Sequence, residues 1–361
     1  MSRKSHSVSY HDIATYAGVS VATVSHAIRG TRHVSPEVSQ RIQEAVERLN
    51  YHPNALARGL RESATKTIGI ITTEVTNPSY SEVAIAAEAA LSESGYTVFI
   101  GNILLSDCES EEIKEQNYAV AFLERRVDGL LFTSAHLDSN IGQWLRKQGV
   151  PFVLLNRRFR NMATDYVGVD NIGGMRTATE HLIQLGHRRI GFIGGFSYSS
   201  SAQDRLAGYV SALDAHAIKP EPEMFFEGRY DLDSGYEGAK YLLALPSNRR
   251  PTAICAANDL LAFAAMDYAI RAGFHIPHDL SIVGFDDLQL SRIAPIGLTT
   301  VHQPLREMGR SGAELLVRRI VTHMSVDPEV ILLPCELVIR NTTMPPAGIY
   351  VSADNPNPQW R

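Results

Sequence analysis

Two sets of residues in this chain have the types and spacing to do chemistry. The first lies in VATVSHAIR, residues 21–29, where helical spacing turns Val24, Ala27 and Ile28 to one side. Val21, Ala22, Thr23, Ser25, His26 and Arg29 are left largely outward. The hydroxyls of Thr23 and Ser25 can donate to phosphates, while His26 and Arg29 can donate to base edges. The second set is a series of polar pairs closing apolar runs: Asn156-Arg157, Asp170-Asn171, Asn258-Asp259 and Asp286-Asp287. Ligands of open parallel sheets bind beyond the carboxyl ends of the strands, so these pairs mark a cleft. A helix cap explains Asp170-Asn171 or Asn258-Asp259 equally well taken alone. Four such ends in one chain favour the cleft.

No catalytic constellation accompanies them. GxSxG, P-loop and HExxH patterns are missing, and GFIGG at 191–195 lacks the GxGxxG spacing. Asp286 and Asp287 do not make an acid/base pair, because neighbours on a strand point to opposite faces. HIPH, 275–278, reads as a surface loop rather than a metal site, since a proline separates its histidines. The expectation is a binding protein with no catalytic residue, no metal and no cofactor.

The elements that must position these residues fall into a small head and a large body. In the head, Ser9 and Asp12 start a first helix with Ile13, Ala14 and Ala17 on one face, and Gly18 breaks it. Ser20 caps the helix that carries the outward set. Ser35-Pro36-Glu37 opens a third, striped by Val38, Ile42, Ala45, Val46 and Leu49. Two short helices joined by a glycine turn make a helix-turn-helix; a plain three-helix bundle is the alternative.

Beyond Thr67, apolar runs alternate with helical stretches, the pattern of parallel sheets flanked by helices. The runs are 68–71, 96–101, 129–134, 152–156, 166–169, 189–195, 253–259 and 281–287. Helical stretches fall at 79–94, 109–125, 172–185, 205–216, 235–245 and 260–272. Between head and body, NYHPNALARGLR (50–61) sets Leu56 and Leu60 on one face of a helix too short to be stable by itself.

Net charge is −5, and its distribution matters more than its size. Residues 1–61 hold eight Lys/Arg against four Asp/Glu, while the rest holds 26 against 35. A basic head on an acidic body suits a polyanionic partner. No apolar run approaches the length of a membrane span, and MSRKSHSVSYHD lacks a signal-peptide core. Cys108, Cys255 and Cys335 are odd in number and lie in apolar contexts, which suggests reduced thiols and a cytoplasmic protein.

With AGVS, TVS in the second helix, VS opening the third, and LNYxPN, the first 60 residues or so resemble the DNA-binding head of the LacI/GalR family of bacterial transcription regulators. The body resembles the family's periplasmic-binding-protein-like core through HLIQLGHRRIGFIGG, RLAGY, SGYEGA, PTAICAANDLLAFAAMDYAIRAG, IPHDLSIVGFDD and LTTVHQP. The resemblance implies an α/β body of two doubly wound lobes (type I) with a small all-α helix-turn-helix N-terminal domain. It divides the chain into a DNA-binding domain (1–50), a hinge helix and linker (51–66), an effector-binding and dimerisation domain (67–342) and a proline-rich tail (343–361). Lobe one would span about 67–163 and 300–328, lobe two about 164–299 and 329–342.

By the same resemblance, residues 21–29 read the major groove. Val21 and Ala22 fall where family members often carry base-reading side chains, but they are small and apolar and can only touch a thymine methyl. Specificity then leans on His26, Arg29 and His33. In the hinge, which Asn54 helps to begin, Leu60 becomes a minor-groove wedge, with Ala57 in close groove contact and Arg58 or Arg61 near phosphates. Arg205, Tyr230, Asn258 and Asp286 fall at effector-binding positions, with Tyr80 and Arg157 as first-lobe contributors.

These expectations amount to a repressor that binds a palindromic duplex operator as a homodimer under a small-molecule effector, with no membrane partner. Arginine, carboxylate and an aromatic face suit a polyol, so a sugar or sugar derivative is expected. A purine is disfavoured: the family's purine-responsive member carries basic and hydroxyl residues before RLAG, where FSYSSSAQD has no arginine. The tail lacks leucine heptads, which argues against a tetramer. The competing reading is a carbohydrate-binding or carbohydrate-processing protein whose head is not a sequence-specific DNA reader.

Overall fold

The computed structural model describes residues 8–29, 32–51, 64–103, 111–133, 135–322 and 327–346. It divides into two compact units, Met1–Thr65 and Lys66–Arg361. Hinge residues 52–63 and tail residues 347–361 lie outside the described residues, as does Cys108.

Three helices build the first unit. α1 (Tyr10–Ala17) starts at Ser9, whose backbone N–H and hydroxyl both donate to Asp12 Oδ2, at 2.8 and 2.7 Å. Gly18 ends it at φ 63, where a side chain would be strained. α2 (Val21–Arg29) begins where Ser20 Oγ accepts from the Thr23 N–H at 3.0 Å. α3 (Pro36–Arg48) has Pro36 in its first turn and Ser35 as its cap. Ile13, Ala14, Ala17, Val24, Ile42 and Ala45 are the buried core, matching the stripes the sequence predicts.

The second unit contains two six-stranded sheets among the described residues. The first runs β11 (Val330–Leu333), β5 (Tyr166–Val169), β4 (Phe152–Leu155), β3 (Gly129–Phe132), β1 (Thr67–Thr72), β2 (Thr97–Asn102). The second runs β12 (Glu336–Val338), β10 (Thr299–His302), β9 (Ser281–Asp286), β8 (Ala253–Ala256), β6 (Ile190–Gly194), β7 (Phe225–Glu227). Among the described residues the β10–β12 pair is antiparallel and the other pairs are parallel.

This pairing corrects the expected lobe limits. YVGV (166–169) pairs with β4 and β11 in the first sheet, not the second. Thr300–His302, expected in lobe one, pairs with β9 in the second sheet, and Val330–Leu333, expected in lobe two, returns to the first sheet. The chain therefore crosses between lobes just after Val169, after His302 and between Leu333 and Glu336. A run of buried residues looks the same whichever sheet receives it, so only the long-range pairing decides.

Helices cover both faces of each sheet: α4 (Pro78–Glu93), α5 (Glu111–Glu124), α6 (Ile141–Gln148) and α11 (Leu305–Thr322) in lobe one, and α7 (Asn171–Gln184), α8 (Ser200–Ala215), α9 (Leu232–Leu243) and α10 (Asp259–Arg271) in lobe two. Three helix pairs approach too closely for a side chain, α9 and α10 at Gly235 among them, and the other two are the tightest. A Cβ on Gly309 of α11 would sit 2.3 Å from the Val83 carbonyl oxygen of α4. One on Gly208 of α8 would sit 2.3 Å from the Ile172 carbonyl oxygen of α7. Backbone is the obstacle in both, so whole helices must shift. Gly309→Ala and Gly208→Ala should each destabilise by about 2 kcal/mol, lowering the melting temperature of the body by roughly 4–8 °C; calorimetric melting checks this, and an unchanged transition would contradict the packing.

Candidate functional site

The carboxyl ends of the two sheets face a common cleft, and the sequence-predicted residues converge there. Tyr80, Arg157, Arg205, Tyr230, Asn258 and Asp286 are all buried. Arg205, on α8, is fixed three ways. Its Nε donates to Asn171 Oδ1 at 2.8 Å, its Nη1 donates to the Ala257 carbonyl at 2.5 Å, and its guanidinium lies 3.8 Å from the Phe285 ring centre. Asp286 Oδ1 is 3.7 Å from Arg205 Nη1. The same carboxylate accepts from Gln303 Nε2 at 2.6 Å and from Ser79 Oγ at 2.5 Å. Ser79 belongs to lobe one and Asp286 to lobe two, so this last bond spans the cleft.

From lobe one, Arg157 donates from Nη2 to the Tyr80 hydroxyl. Its guanidinium lies 5.5 Å from the Tyr80 ring centre and 5.9 Å from that of Tyr230. Tyr230 is also 5.9 Å from the Arg205 guanidinium, so the two arginines flank one ring. Asn258 is placed beside this group, with its Oδ1 capping α10 through the Leu261 N–H at 2.9 Å. Asp170 likewise caps α7. Capping and cleft position are thus combined at both ends rather than exclusive.

Backbone strain gathers at the same place. Asp286 has φ 132 and Asp287 φ 58, a left-handed conformation disfavoured for both residues. The turn sends the two carboxylates apart: Asp287 leaves the cleft for Arg340, Arg292 and His302. Although burial works against it, those arginines hold Asp287 below the usual carboxylate range. For Asp286 burial wins: it pushes the carboxyl up to about 7 against the pull of Arg205, and the neighbouring Asp259 adds to the rise.

Several cleft residues escape sequence reasoning: Thr72, Thr73, Thr133 and Asn102 carry buried side-chain oxygens with no hydrogen-bond partner among the described residues, as do Asn156 and the Tyr230 hydroxyl, which the sequence does mark. Thr72 lies opposite Asn102, and Thr133 extends the register that sets Ile71 beside Phe132. These three therefore share one face at the end of the first sheet. Buried polar atoms without partners are expensive, so a row of them is a place where a ligand supplies the missing bonds. A threonine closing a strand gives no such signal in sequence. Ser79 and Gln303 are visible only through their contacts, whereas Asn171, which accepts from Arg205, belongs to a polar pair that the sequence marks. Among the described residues no His/Cys/Asp/Glu group is arranged to hold a metal.

On the first unit, α2 presents Val21 (43% exposed) and Ala22 outward. Thr23, Ser25 and His26 are half-buried rather than fully outward, and Thr23 Oγ1 lies 2.8 Å from Ser20 Oγ and takes part in the cap. His33 is exposed. The Arg29 side chain and residues Asn54, Ala57, Arg58 and Leu60 lie outside the described residues.

Comparison with known proteins agrees across most of the chain. Residues 9–54 match the domain described as bacterial regulatory proteins, lacI family, and 179–343 match a periplasmic binding protein-like domain. The HTH-type transcriptional repressor PurR of Photobacterium profundum is 35% identical over 332 residues, 92% of this chain and 97% of the relative. PurR of Aliivibrio fischeri is 36% identical over 311 residues, 86% of this chain and 90% of that one. The lac repressor dimer bound to operator and the anti-inducer ONPF has TM-score 0.83 at 29% identity, covering 93% of this chain and 99% of that chain. A complex of the transcriptional regulator CelR with cellobiose has TM-score 0.69 at 31% identity, with the same coverage. The name carried by the sequence relatives tells against the exclusion of a purine, while the solved neighbours include a complex with a disaccharide.

The raised Asp286 carboxyl makes a testable pH dependence. The folded protein keeps a proton that the unfolded chain releases, so the contribution is complete below the ordinary value of 3.8 and is lost as pH rises to about 7. Asp286→Asn has no such loss. Its melting temperature relative to the unsubstituted protein should rise from about pH 4 to about pH 7 and level off above. A difference that stays constant across that range would contradict a raised carboxyl.

Proposed function

The chain belongs to the LacI family of bacterial regulatory proteins, and from that premise we propose how its two units work. It is a DNA-binding transcriptional repressor rather than an enzyme. In the proposed mechanism a homodimer places two copies of α2 in successive major grooves of a palindromic operator. A single small helix-turn-helix makes too few contacts for a tight specific site. Val21 and Ala22 contact bases by shape, with His26, Arg29 and His33 as donors, while Thr23 and Ser25 serve the backbone. The hinge contributes Asn54, Ala57, Arg58 and the wedge Leu60 in the minor groove.

The effector lies in the interlobe cleft, held by Arg205 and Asp286 together with Arg157, Tyr80, Tyr230 and Asn258. The observation that carries this reading is the buried Arg205–Asp286–Ser79 chain, which joins both lobes through one carboxylate. A polyol is favoured, because the partnerless oxygens are spread over four adjacent strands and match a ligand with hydroxyls all round. A purine is the second reading, supported by the relatives named PurR and by the flat Arg157 group lying near both tyrosine rings. Ser199 and Ser201 of the FSYSSSAQD loop bond to each other and Ser199 caps α8, and the loop offers a base no arginine before Arg205.

Thermal-shift measurements with neutral sugars, sugar phosphates, nucleosides and free purine bases test the effector. A sugar should raise the melting temperature, and Arg205→Ala should abolish the shift through a loss of at least about a hundredfold in affinity. Stabilisation by a purine alone would overturn the polyol reading, and a shift that survives Arg205→Ala would overturn the site. For DNA, Leu60→Ala should weaken an operator selected from random palindromes far more than bulk duplex, as measured by anisotropy at fixed salt; equal losses would remove the wedge.

A further inference from the structure

Two Arg-Arg pairs lie outside the functions assigned above. Arg188-Arg189 immediately precedes β6, and Arg249-Arg250 shortly precedes β8, its neighbour in the second sheet. They concentrate positive charge in a body that is otherwise acidic. Arg189 and Arg250 line a cavity of about 380 Å³, together with the connection from α10 to β9. It sits at the amino ends of β6, β8 and β9, whereas the effector cleft sits at the carboxyl ends. Strands of four to six residues, at about 3.3 Å each, separate the two by roughly 13–20 Å.

The walls of this cavity are tied together. The buried His187 backs it, with Nδ1 2.9 Å from Thr252 Oγ1 and Nε2 2.9 Å from the Met344 carbonyl oxygen. Arg189 Nε donates to the Arg250 carbonyl at 2.9 Å, and Arg250 Nε donates to the Leu245 carbonyl at 3.2 Å. Each guanidinium is thus tethered through Nε, which leaves the Nη groups as donors for an anion. Arg249 pairs with Glu223, but neither Arg189 nor Arg250 has a carboxylate partner among the described residues. Asp279, the carboxylate in the lining, already accepts from the His275 N–H at 2.7 Å. One wall is apolar: the Phe274 ring centre lies 5.3 Å from the Arg250 guanidinium, with Pro251 and Pro277 also in the lining.

Two cations lining one cavity repel each other, and a dianion relieves that repulsion. Phosphate has oxygens enough for both guanidinium forks, whereas a carboxylate fills only one. The aromatic and proline wall takes an apolar remainder. We infer that this cavity is a second small-molecule site, one for an organic phosphate. Arg189 and Arg250 hold the phosphate, His278 adds an imidazole N–H at the rim, and Phe274 carries the ring or chain attached to it. The inference holds whatever fills the interlobe cleft.

Calorimetric titration of the full chain with phenyl phosphate tests it, with inorganic phosphate and phenol as partial probes. Phenyl phosphate should bind at one site per chain, inorganic phosphate more weakly, and phenol not measurably. Arg189→Gln and Arg250→Gln should each weaken phenyl phosphate by about tenfold or more. Phe274→Leu should weaken phenyl phosphate by about threefold or more and leave inorganic phosphate unchanged. Melting of each variant without ligand shows that it is folded. Should an arginine variant melt early, His278→Ala removes an exposed side chain instead and should cost about threefold. Failure of both phosphates to bind would overturn the site, as would binding that survives both arginine variants. Binding lost in Arg205→Ala but kept in the arginine variants would put the phosphate in the effector cleft and overturn it too.

Discussion

A carboxyl group held out of water organises the body of this protein. Asp286 is 3% exposed and leans on an arginine as deeply buried as itself. An ion in such a place costs several kcal/mol unless dipoles and a counter-charge surround it. The fold supplies them from separate parts of the chain: Arg205 from α8, Gln303 from the crossover after β10, and Ser79 from the first turn of α4. Removing any one leaves the rest uncompensated. The demand for partners therefore ties both lobes to one group, and the strained turn at Asp286 and Asp287 is the backbone's share of that cost.

The lobes differ in what they bring. Lobe two carries the buried pair Arg205 and Asp286, already bonded within the protein, while lobe one adds Arg157. Lobe one brings a row of oxygens with no partners of their own, at the ends of β1, β2, β3 and β4. A rigid charged floor facing an unsatisfied polar row suits a hydrogen-bonding ligand better than an apolar one. It also gives a physical route for regulation, since a ligand that satisfies the row interacts with both lobes at once and favours one separation of them.

How much of this is legible in sequence depends on whether the signal is local. The caps at Ser9, Ser20 and Ser35, the breaking Gly18 and the apolar stripes of the head are local, and the helices form where those signals put them. Strand ends are local too, which is why Arg157, Asn258 and Asp286 are readable as cleft residues and Arg205 through its RLAGY motif. Lobe membership is not local. The segments 166–169 and 300–302 join the sheets opposite to those expected, because nothing within either short run says which sheet receives it: 166–169 is fixed between β4 and the distant β11, and 300–302 beside β9. The strands β7, β10, β11 and β12 are three or four residues long and escape a periodicity reading. Thr72 and Thr133 look like ordinary strand residues until the register sets them on one face with Asn102.

Proton linkage on effector binding tests the central claim most directly. The sugar that stabilises the full-length protein is titrated calorimetrically at about pH 7 in two buffers of different ionisation enthalpy. Hydroxyls donating to Asp286 favour its charged form, so binding should release protons, and Asp286→Asn should release none. Identical apparent enthalpies in both buffers, or release that persists in Asp286→Asn, would contradict an effector site built on this carboxyl.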